Sequence, residues 1–391
     1  NDISFDVSIM EESAKASGLE LIGPMMIANK RILIGDHKQL PAFNENAIKR
    51  IISDGKNIDS LFLISLLEDM GLSSGIKNTL NFRSLDSNYD ESLTRNIYKY
   101  FSLFESLSET AKKLSLRNQN SFGETLNIQH RMHPEICDIV SNTVYEDKLK
   151  TNKDHIEHCK TTIPFYFEKS DLIDLNCDKA VLWIDISDKQ SRTDLAALEK
   201  DYTNNTEIQI IKEVLSRLRC YDSSKKYSIS ILSPYQNQVN LINKTIGNEL
   251  LPKNVNTTEK RKLACTIDSF QGNEADLIIV SLVRHNGNAR IRSALGFLSD
   301  MRRMNVMLSR AVYKMVIIGS FGLFSRWQEI NLQADTRSDL SPMDSEFLNN
   351  FVKFCRPDFE MMKDTSVDNQ TKKYAKVEFI SSEKFLEVDN D

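Results

Sequence analysis

The feature that most constrains the fold is an almost uninterrupted apolar run at residues 277–283. It holds leucine, isoleucine and valine with a single serine. A strand with one solvent-exposed face alternates apolar and polar residues, whereas a strand that is buried on both faces is apolar throughout. Elsewhere Ile208, Ile211 and Leu215 repeat at the spacing of one helix face. Together the two patterns predict an α/β fold, in which helices cover a parallel sheet.

The chain divides into four segments of different patterning. An apolar run at 5–10, a helical run near 13–22 and a second apolar run at 31–34 predict a strand–helix–strand arrangement. Later strands are predicted at residues 180–186, 227–232, 263–267, 276–283 and 314–319. We predict an α/β segment at residues 1–43 and a helical insertion or connector at 44–123. A complete α/β unit follows at 124–330, and an acidic, peripheral and partly disordered tail is predicted at 331–391.

Charge and composition exclude several classes of protein. The 391 residues carry a formal net charge of −5, which excludes a uniformly basic coat for nucleic acid. No apolar run approaches the roughly 18 residues of a membrane span, and no signal peptide is visible at the N-terminus. The 6 cysteines are scattered without a C-x-x-C pair, so a disulfide framework is not expected. These features favour a cytoplasmic protein.

One part of the chain is basic despite the negative total. Residues 284–314, called the basic segment below, hold seven lysines and arginines against one acid, Asp300. Such an island is typical of a site for a polyanion, either a nucleotide or a nucleic-acid backbone. A solvated amphipathic helix would give a similar count, and charge alone does not separate these interpretations.

Carboxylates follow the first predicted strand, and a polar loop follows the second. Glu11 and Glu12 end the first run, while Asp36 and Gln39 lie in a loop that ends at Pro41. Carboxyl ends of parallel strands lie at one sheet edge, where open α/β sheets bind ligands. In a nucleotide hydrolase, one such acid holds Mg²⁺ and the next orients the attacking water. Helix N-terminal charges and an ordinary β-turn would use the same residue types.

Six short segments, in order along the chain, resemble the motifs of superfamily 1 helicases. Residues 11–14 resemble Walker B, 35–41 motif III, 266–276 motif V and 305–311 motif VI. Residues 129–134 and 233–238 resemble the Q-Y-R-M-H-P and T-P-Y-x-x-Q motifs of the branch that contains nonsense-decay factors and senataxin-like enzymes. The matching order makes a chance resemblance very unlikely.

The resemblance implies a P-loop NTPase fold with RecA-like parallel sheets. The second RecA-like domain is expected to be complete and the first partial, with a helical insertion between them. The implied activity is that of an ATP-dependent helicase, which hydrolyses ATP with Mg²⁺ and moves along single-stranded DNA or RNA in the 5′-to-3′ direction. No G-x-x-x-x-G-K-[ST] phosphate loop occurs in the 391 residues. Since that loop precedes Walker B in the family, the sequence is expected to be a fragment that is inactive alone.

The resemblance also implies residue roles at the nucleotide. The catalytic residues would be Glu12, which orients water, Gln39, which senses the γ-phosphate, and the arginines Arg131 and Arg310, which neutralise charge across the cleft between the domains. The other nucleotide-binding residues would be Glu11 as the Mg²⁺ ligand, Asp36, Gly272, Glu274 at the ribose, and Arg303. A planar guanidinium suits phosphate because it binds two oxygens at once.

A helical pattern offers one way to place the arginines of motif VI. If residues 299–312 are helical, Met301, Met304, Leu308 and Ala311 form one apolar face. The arginines at 303 and 310 then share another face and point into the cleft together.

Four residues of the second α/β unit are the implied contacts to nucleic acid: Pro234, Tyr235, Thr266 and Ser269. Hydroxyl and backbone N–H groups bind phosphates without reading sequence. Tyr235 is equally consistent with a packed core aromatic, and the sequence does not decide between the two.

Departures from the family pattern leave two further functions open. Glu11 stands where aspartate is usual, and His130 stands where the branch has tyrosine. The main alternative is a catalytically inactive helicase-like module that binds nucleic acid or protein. A nuclease fusion is less favoured, because no paired-acid nuclease pattern follows residue 330. A metal site around His155, His158 and Cys159 is disfavoured too, because no second ligand pair follows at zinc spacing.

Overall fold

A computed structural model of the chain describes residues 5–42, 99, 101–161, 164–168, 179–186, 201–258, 262–284, 290–333, 340–355 and 377–382. The chain separates into two compact units, residues 1–125 and 126–391, which are treated one at a time. Most of the predicted insertion at 44–123 lies outside the described residues.

The first unit contains two parallel strands and two helices among its described residues. These are β1 (Phe5–Met10), α1 (Gly18–Met26), β2 (Ala28–Leu33) and α2 (Leu103–Leu116), with a short 3₁₀ helix at Ser13–Lys15. The predicted strand–helix–strand order is present. The helix begins later than the predicted run because the Glu20 carboxylate accepts a hydrogen bond from the Ser17 backbone N–H at 2.7 Å, which caps its first turn.

The second unit alternates strands and helices. Its described strands are β3 (Ile128–Gln129), β4 (Lys150–Thr151), β5 (Phe165–Phe167), β6 (Val181–Asp185), β7 (Leu218–Cys220), β8 (Tyr227–Ser233), β9 (Val255–Thr257), β10 (Ala264–Thr266), β11 (Ala275–Ser281), β12 (Ala311–Gly319) and β13 (Val377–Ser381). Its described helices are α3 (Pro134–Val144), α4 (Lys153–Thr161), α5 (Asn205–Arg217), α6 (Gln236–Thr245), α7 (Ile291–Leu295), α8 (Met301–Leu308), α9 (Phe321–Gln333) and α10 (Pro342–Cys355), and 3₁₀ helices lie at Asn248–Leu250 and Gly296–Ser299.

A seven-stranded parallel sheet organises the second unit. The strand order is β10-β8-β11-β12-β6-β13, and β9 pairs with the first half of β8. Every pairing in this sheet is parallel, which confirms the predicted fold class. The five strands predicted from the sequence correspond to β6, β8, β10, β11 and β12.

The core lies on both faces of this sheet. The β11 residues Leu277, Ile278, Ile279 and Val280 are fully buried. On one side, Trp183 of β6 packs edge-on against Phe321 at 5.1 Å between ring centroids. Burial on two faces explains why the strand tolerates no alternation of apolar and polar residues.

The C-terminal segment departs from the predicted peripheral tail. Helix α10 buries Phe347, Leu348 and Phe351, and β13 pairs with β6 as the last strand of the sheet. For the described residues of 331–391 the expectation was therefore wrong. Acidic residues outnumber basic ones in this segment, and this excess obscured the short apolar stretches that enter the core.

A search of the described residues finds no helix that is both long and apolar enough to cross a membrane.

Candidate nucleotide and nucleic-acid sites

In the first unit, the carboxyl ends of both strands meet, as predicted. Met10 pairs with Leu33 at the end of the parallel register, so Glu11 and Glu12 leave the sheet beside the loop that follows β2. The Ser13 backbone N–H donates to the Ile34 carbonyl at 2.9 Å. This bond ties the acidic segment to the neighbouring strand end.

Glu12 has an unusual backbone conformation. Its φ of 53° lies in the left-handed region, which costs a non-glycine residue of order 1 kcal/mol or more. Buried Ser13 holds the turn, since its hydroxyl donates to the Met10 carbonyl at 2.7 Å. The Glu12 carboxylate lies 3.9 Å from Lys15 Nζ and is more than half exposed, so it is accessible to a substrate.

Asp36 organises the loop after β2. Its carboxylate accepts hydrogen bonds from the Lys38 backbone N–H and from the Gln39 side-chain amide, both at 3.0 Å. Gly35 is required there, because a Cβ would lie 2.8 Å from the backbone nitrogen of Ala14. The two predicted residues of this loop are therefore brought together, with Asp36 holding the amide of Gln39.

In the second unit, two predicted nucleotide-binding residues that are far apart in sequence form an ion pair. The Arg131 guanidinium donates through Nε to the Glu274 carboxylate. Gln129 positions the arginine, since its side-chain oxygen accepts from the backbone N–H groups of Arg131 and Met132 at 2.7 Å each. The two motifs therefore meet at one place on this unit.

Arg310 lies next to this pair but is buried. Only 2% of the residue is exposed, and its guanidinium donates to the carbonyls of Val306 at 3.0 Å and Asn273 at 3.3 Å. The Ala275 backbone N–H donates to the Arg310 carbonyl at 3.1 Å, and β12 begins at the next residue, Ala311. Arg310 therefore binds the loop that carries Glu274.

The predicted helix over 299–312 is wrong at both ends. Helix α8 spans only Met301–Leu308, because the Asp300 carboxylate caps its start by accepting from the backbone N–H groups of Arg302 and Arg303. Met301, Met304 and Leu308 form the predicted buried face, but Ala311 belongs to a strand.

Arg303 and Arg310 consequently do not share a helix face. The Arg303 guanidinium lies 4.1 Å from the centre of the Phe297 ring and 3.8 Å from an Asp300 oxygen. Burial raises the pKa of the Asp300 carboxyl, and its hydrogen bonds to the helix N-terminus oppose the rise.

Gly272 permits the turn before Glu274. Its φ of 89° favours glycine, and a Cβ at this position would meet no atom within 4 Å. The glycine is therefore required by backbone conformation and not by close approach of a neighbour. The Asn273 backbone N–H closes the turn on the Phe270 carbonyl at 3.0 Å.

The predicted nucleic-acid residues form two local structures. The Thr266 and Ser269 hydroxyls lie 3.0 Å apart in a partly exposed turn after β10. Pro234 and Tyr235 lie between β8 and α6, where the Tyr235 hydroxyl accepts a 2.6 Å hydrogen bond from Arg284 Nε. Tyr235 is half-buried, so it has features of both interpretations that the sequence left open.

The basic segment is not a continuous basic surface. Lys314 is buried, donates to the Lys179 carbonyl at 3.0 Å and lies 5.6 Å from the Phe167 ring centre. Arg310 is buried as well. At least two of the seven charges therefore serve internal contacts, which a count of charges along the sequence does not reveal.

The side chains of the His155 region form pairwise contacts. Cys159 Sγ lies 3.6 Å from His155 Nε2, while His158 Nε2 lies 3.3 Å from the Tyr313 hydroxyl. In the part of the chain that is described, no group of three or more histidine, cysteine, aspartate or glutamate side chains is placed to hold a metal.

Sequence reasoning missed a buried polar network beside Tyr235. Glu207 is 1% exposed at the start of α5, and burial raises the pKa of its carboxyl to about 8. It contacts Ser281 and the backbone of Val283, and Gln238 joins the same network. The sequence feature that could have indicated this network is Gln238, the last residue of the 233–238 motif, because a buried glutamine needs hydrogen-bond partners.

Comparisons with known proteins identify the family to which the chain is related. Two protein-family profiles, both described as AAA domain, match residues 1–45 and 100–321, and the second covers more than half of the chain. Probable helicase MAGATAMA 3 of Arabidopsis thaliana is 30% identical over 92% of this chain and 36% of its own length.

Two other relatives show the same likeness over a small part of their length. Probable helicase senataxin of Homo sapiens is 25% identical over 90% of this chain, and Helicase SEN1 of Saccharomyces cerevisiae is 27% identical over 89%. The chain spans only 11% and 13% of these two proteins. The family match and the relatives together establish that this chain belongs to the superfamily 1 helicases, in the group that includes senataxin and the regulators of nonsense transcripts.

Proposed function

We propose that this chain is part of an ATP-dependent helicase or translocase that acts on single-stranded DNA or RNA. The observation that carries the proposal is the convergence of Arg131, Glu274 and Arg310 on one part of the second unit. Two guanidinium groups and a ribose-binding carboxylate at one place are the parts that phosphoryl transfer from a nucleotide requires. The described cysteines are free thiols, as suits a reducing compartment such as the cytoplasm.

The first unit supplies acids and an amide to this reaction. Glu12 orients the attacking water, and Gln39, held by Asp36, senses the γ-phosphate. The donor set fits Mg²⁺, because the Glu11 carboxylate is exposed at a strand end and Mg²⁺ is usually held by one or two carboxylates with phosphates and water. When bound, Mg²⁺ neutralises charge on the phosphates of ATP.

The second unit supplies positive charge and nucleic-acid contacts. Arg131 and Arg310 stabilise the charge that develops on the transferred phosphoryl group, while Glu274 accepts from the ribose. Gly272 shapes the loop that presents this carboxylate, and Arg303 is a further cation for the nucleotide. The motif residues Pro234, Tyr235, Thr266 and Ser269 contact the single strand without selecting its sequence.

An ATPase assay on the full-length gene product tests this proposal. With saturating single-stranded oligonucleotide, Arg131→Ala should lower ATP turnover by roughly 10³-fold, as for other arginines that act in phosphoryl transfer. Arg219→Ala is the matched control, because Arg219 is an arginine of the same unit that forms a surface ion pair with Glu168. The control should stay within twofold of wild type.

Two results would contradict the proposal. Equal turnover of Arg131→Ala and Arg219→Ala would remove Arg131 from the reaction. Binding of single strands by a wild-type protein that never hydrolyses ATP would favour the inactive helicase-like module instead.

A further inference from the structure

The buried carboxyl of Glu207 binds the chain just beyond the end of β11. It accepts a 2.8 Å hydrogen bond from the Val283 backbone N–H and a second one from the Ser281 hydroxyl. The Asn204 amide donates to Glu207 at 3.4 Å and to the Val283 carbonyl, also at 3.4 Å. Both backbone polar groups of Val283 are therefore bound by side chains at the start of α5.

Gln238 of α6 closes the same network. It accepts from the Asn204 backbone N–H at 2.8 Å and donates to the Asn204 carbonyl at 3.1 Å and to the Ser281 hydroxyl at 3.0 Å. Gln238 is fully buried. Two helices and one strand end are thus joined by side chains that satisfy one another away from water, an arrangement that fixes geometry because any loss leaves a buried partner unpaired.

The network holds a strained turn. Val283 has a φ of 68°, a conformation that a β-branched residue adopts only under constraint. The Arg284 backbone N–H donates to the Leu282 carbonyl at 2.8 Å, which closes a three-residue turn around Val283. Turns of this kind with positive φ are rare and persist where the surroundings determine them.

The turn directs Arg284 onto two aromatic rings. Its guanidinium carbon lies 4.9 Å from the ring centre of Tyr202 and 5.3 Å from that of Tyr235. The two rings stack with their centres 5.0 Å apart and their planes 9° apart. Gly296 makes room for the guanidinium, because a Cβ there would collide with Arg284.

Tyr202 retains exposed surface beside this cluster. Its ring stacks on Tyr235, the Arg284 guanidinium lies close to both rings, and 40% of Tyr202 is exposed. A flat, partly exposed ring that is held by a second ring and a cation is suited to stack an unpaired base.

We infer that Tyr202, Tyr235 and Arg284 form a stacking platform for a base of single-stranded nucleic acid, and that Glu207 is the positioning residue that holds Arg284 in place beneath it. This inference rests on the proposed function, since it names how the single strand is held at Tyr235. Stacking accepts any base because every base has a flat face, so the platform adds affinity without sequence preference.

Fluorescence anisotropy with two labelled probes tests the platform in the full-length protein. One probe is an oligonucleotide of twelve thymidines, and the other is an abasic oligonucleotide of the same length and charge. Tyr202→Ala should weaken binding of the first probe by about 5- to 100-fold and leave binding of the abasic probe unchanged. Tyr202→Trp should retain binding of both.

The matched control is Tyr221→Ala, because Tyr221 is another exposed tyrosine of this unit that packs against a tyrosine, Tyr166, at 4.6 Å. The control should bind both probes like wild type. Unchanged thymidine binding by Tyr202→Ala, or an equal loss for both probes, would overturn the platform alone. Failure of wild type to bind either probe would overturn the platform and the proposed function together.

Substitution of Glu207 tests the positioning role. Glu207→Gln keeps an oxygen that accepts from the Val283 N–H, and its amide group can donate to the Ser281 hydroxyl, so this variant should retain discrimination between the probes. Glu207→Ala should reduce thymidine binding as Tyr202→Ala does, and the double variant should bind no more weakly than either single variant, because both remove one interaction. Additive losses would overturn the positioning role. If Glu207→Ala does not fold, Arg284→Gln replaces it in the same cycle.

Discussion

The two units contain similar strands in opposite surroundings. Ile9 of β1 is 62% exposed in a two-stranded sheet, whereas Ile279 of β11 is 0% exposed in the middle of seven strands. Both belong to parallel strands whose carboxyl ends lead into candidate site loops. The comparison shows that an apolar strand predicts a sheet but not its burial, which depends on how many strands and helices cover it.

The units also support their site residues differently. In the first unit, Glu12 depends on backbone geometry, namely a left-handed residue followed by the buried Ser13. In the second unit, Arg131 and Arg310 are held by hydrogen bonds that they donate to the Gln129 side-chain oxygen and the Asn273 carbonyl, respectively. We therefore expect substitutions in the second unit to affect both stability and chemistry, and those at Glu12 to affect chemistry alone.

The largest expected effect concerns Arg310. In the full-length gene product, Arg310→Ala should lower ATP turnover by roughly 10³-fold while nucleotide binding stays within a few-fold. Because the guanidinium is buried and binds the carbonyls of Val306 and Asn273, the melting temperature of the second unit should fall too. Steady-state ATPase assays and thermal unfolding measure the two effects. Turnover within tenfold of wild type would separate Arg310 from the reaction and leave it a structural role only.

The second prediction addresses the difference in burial directly. Ile279→Ala should destabilise the second unit by about 2–5 kcal/mol, as for other truncations in a packed core. Ile9→Ala should change the stability of the first unit by less than about 0.5 kcal/mol, because an exposed side chain loses little on truncation. Hydrogen exchange of amides in β1 and β11 reports the units separately. A large effect at Ile9 would show that β1 is covered in solution, and the contrast between the units would fail.

The fold was predictable where local pattern and long-range packing agree. The strand at 275–281 follows from an apolar run that only a doubly covered sheet accommodates, and the meeting of β1 and β2 follows from parallel pairing. Strand β13 was not predictable, because five residues in an acid-rich segment carry no signal until β6 offers an edge. The end of α8 was missed because its periodic residues continue into β12.

The candidate site shows the same limit. Motif order predicted Arg131 and Glu274 as site residues, but it did not predict their pairing, which joins positions 143 apart in sequence. The burial of Arg310 and Lys314 and the role of Glu207 depend on carbonyls and amides supplied by other elements. A charge seen in sequence carries no information about such partners.

A smaller effect is expected from pH in the second unit. Burial raises the pKa of Glu207 to about 8, far above its value in an unfolded chain, so the folded state binds the proton more tightly. Stability should therefore fall as pH rises from the unfolded pKa through about 8, by about 1.4 kcal/mol between pH 7 and 9. Hydrogen exchange of the β11 amides at increasing denaturant concentration measures the free energy of unfolding at each pH and should show this loss. The Glu207→Gln variant should not show the loss. A pH profile identical in wild type and Glu207→Gln would mean that Glu207 titrates normally.

The smallest expected change in stability concerns Asp300, which caps the start of α8. It tests whether the two units also differ in the strength of their helix caps. Asp300→Ala should cost about 1 kcal/mol, because two N–H groups at the start of α8 lose their acceptor. Asp300→Asn should cost only a few tenths of that, since the amide oxygen still accepts and burial already favours an uncharged side chain. The equivalent change in the first unit, Glu20→Ala, removes an exposed acceptor of the Ser17 N–H and should cost less. Chemical denaturation compares the first two variants, and hydrogen exchange in α1 reports the third. If Asp300→Asn is as unstable as Asp300→Ala, the charge of Asp300 beside Arg303 matters more for stability than the cap does.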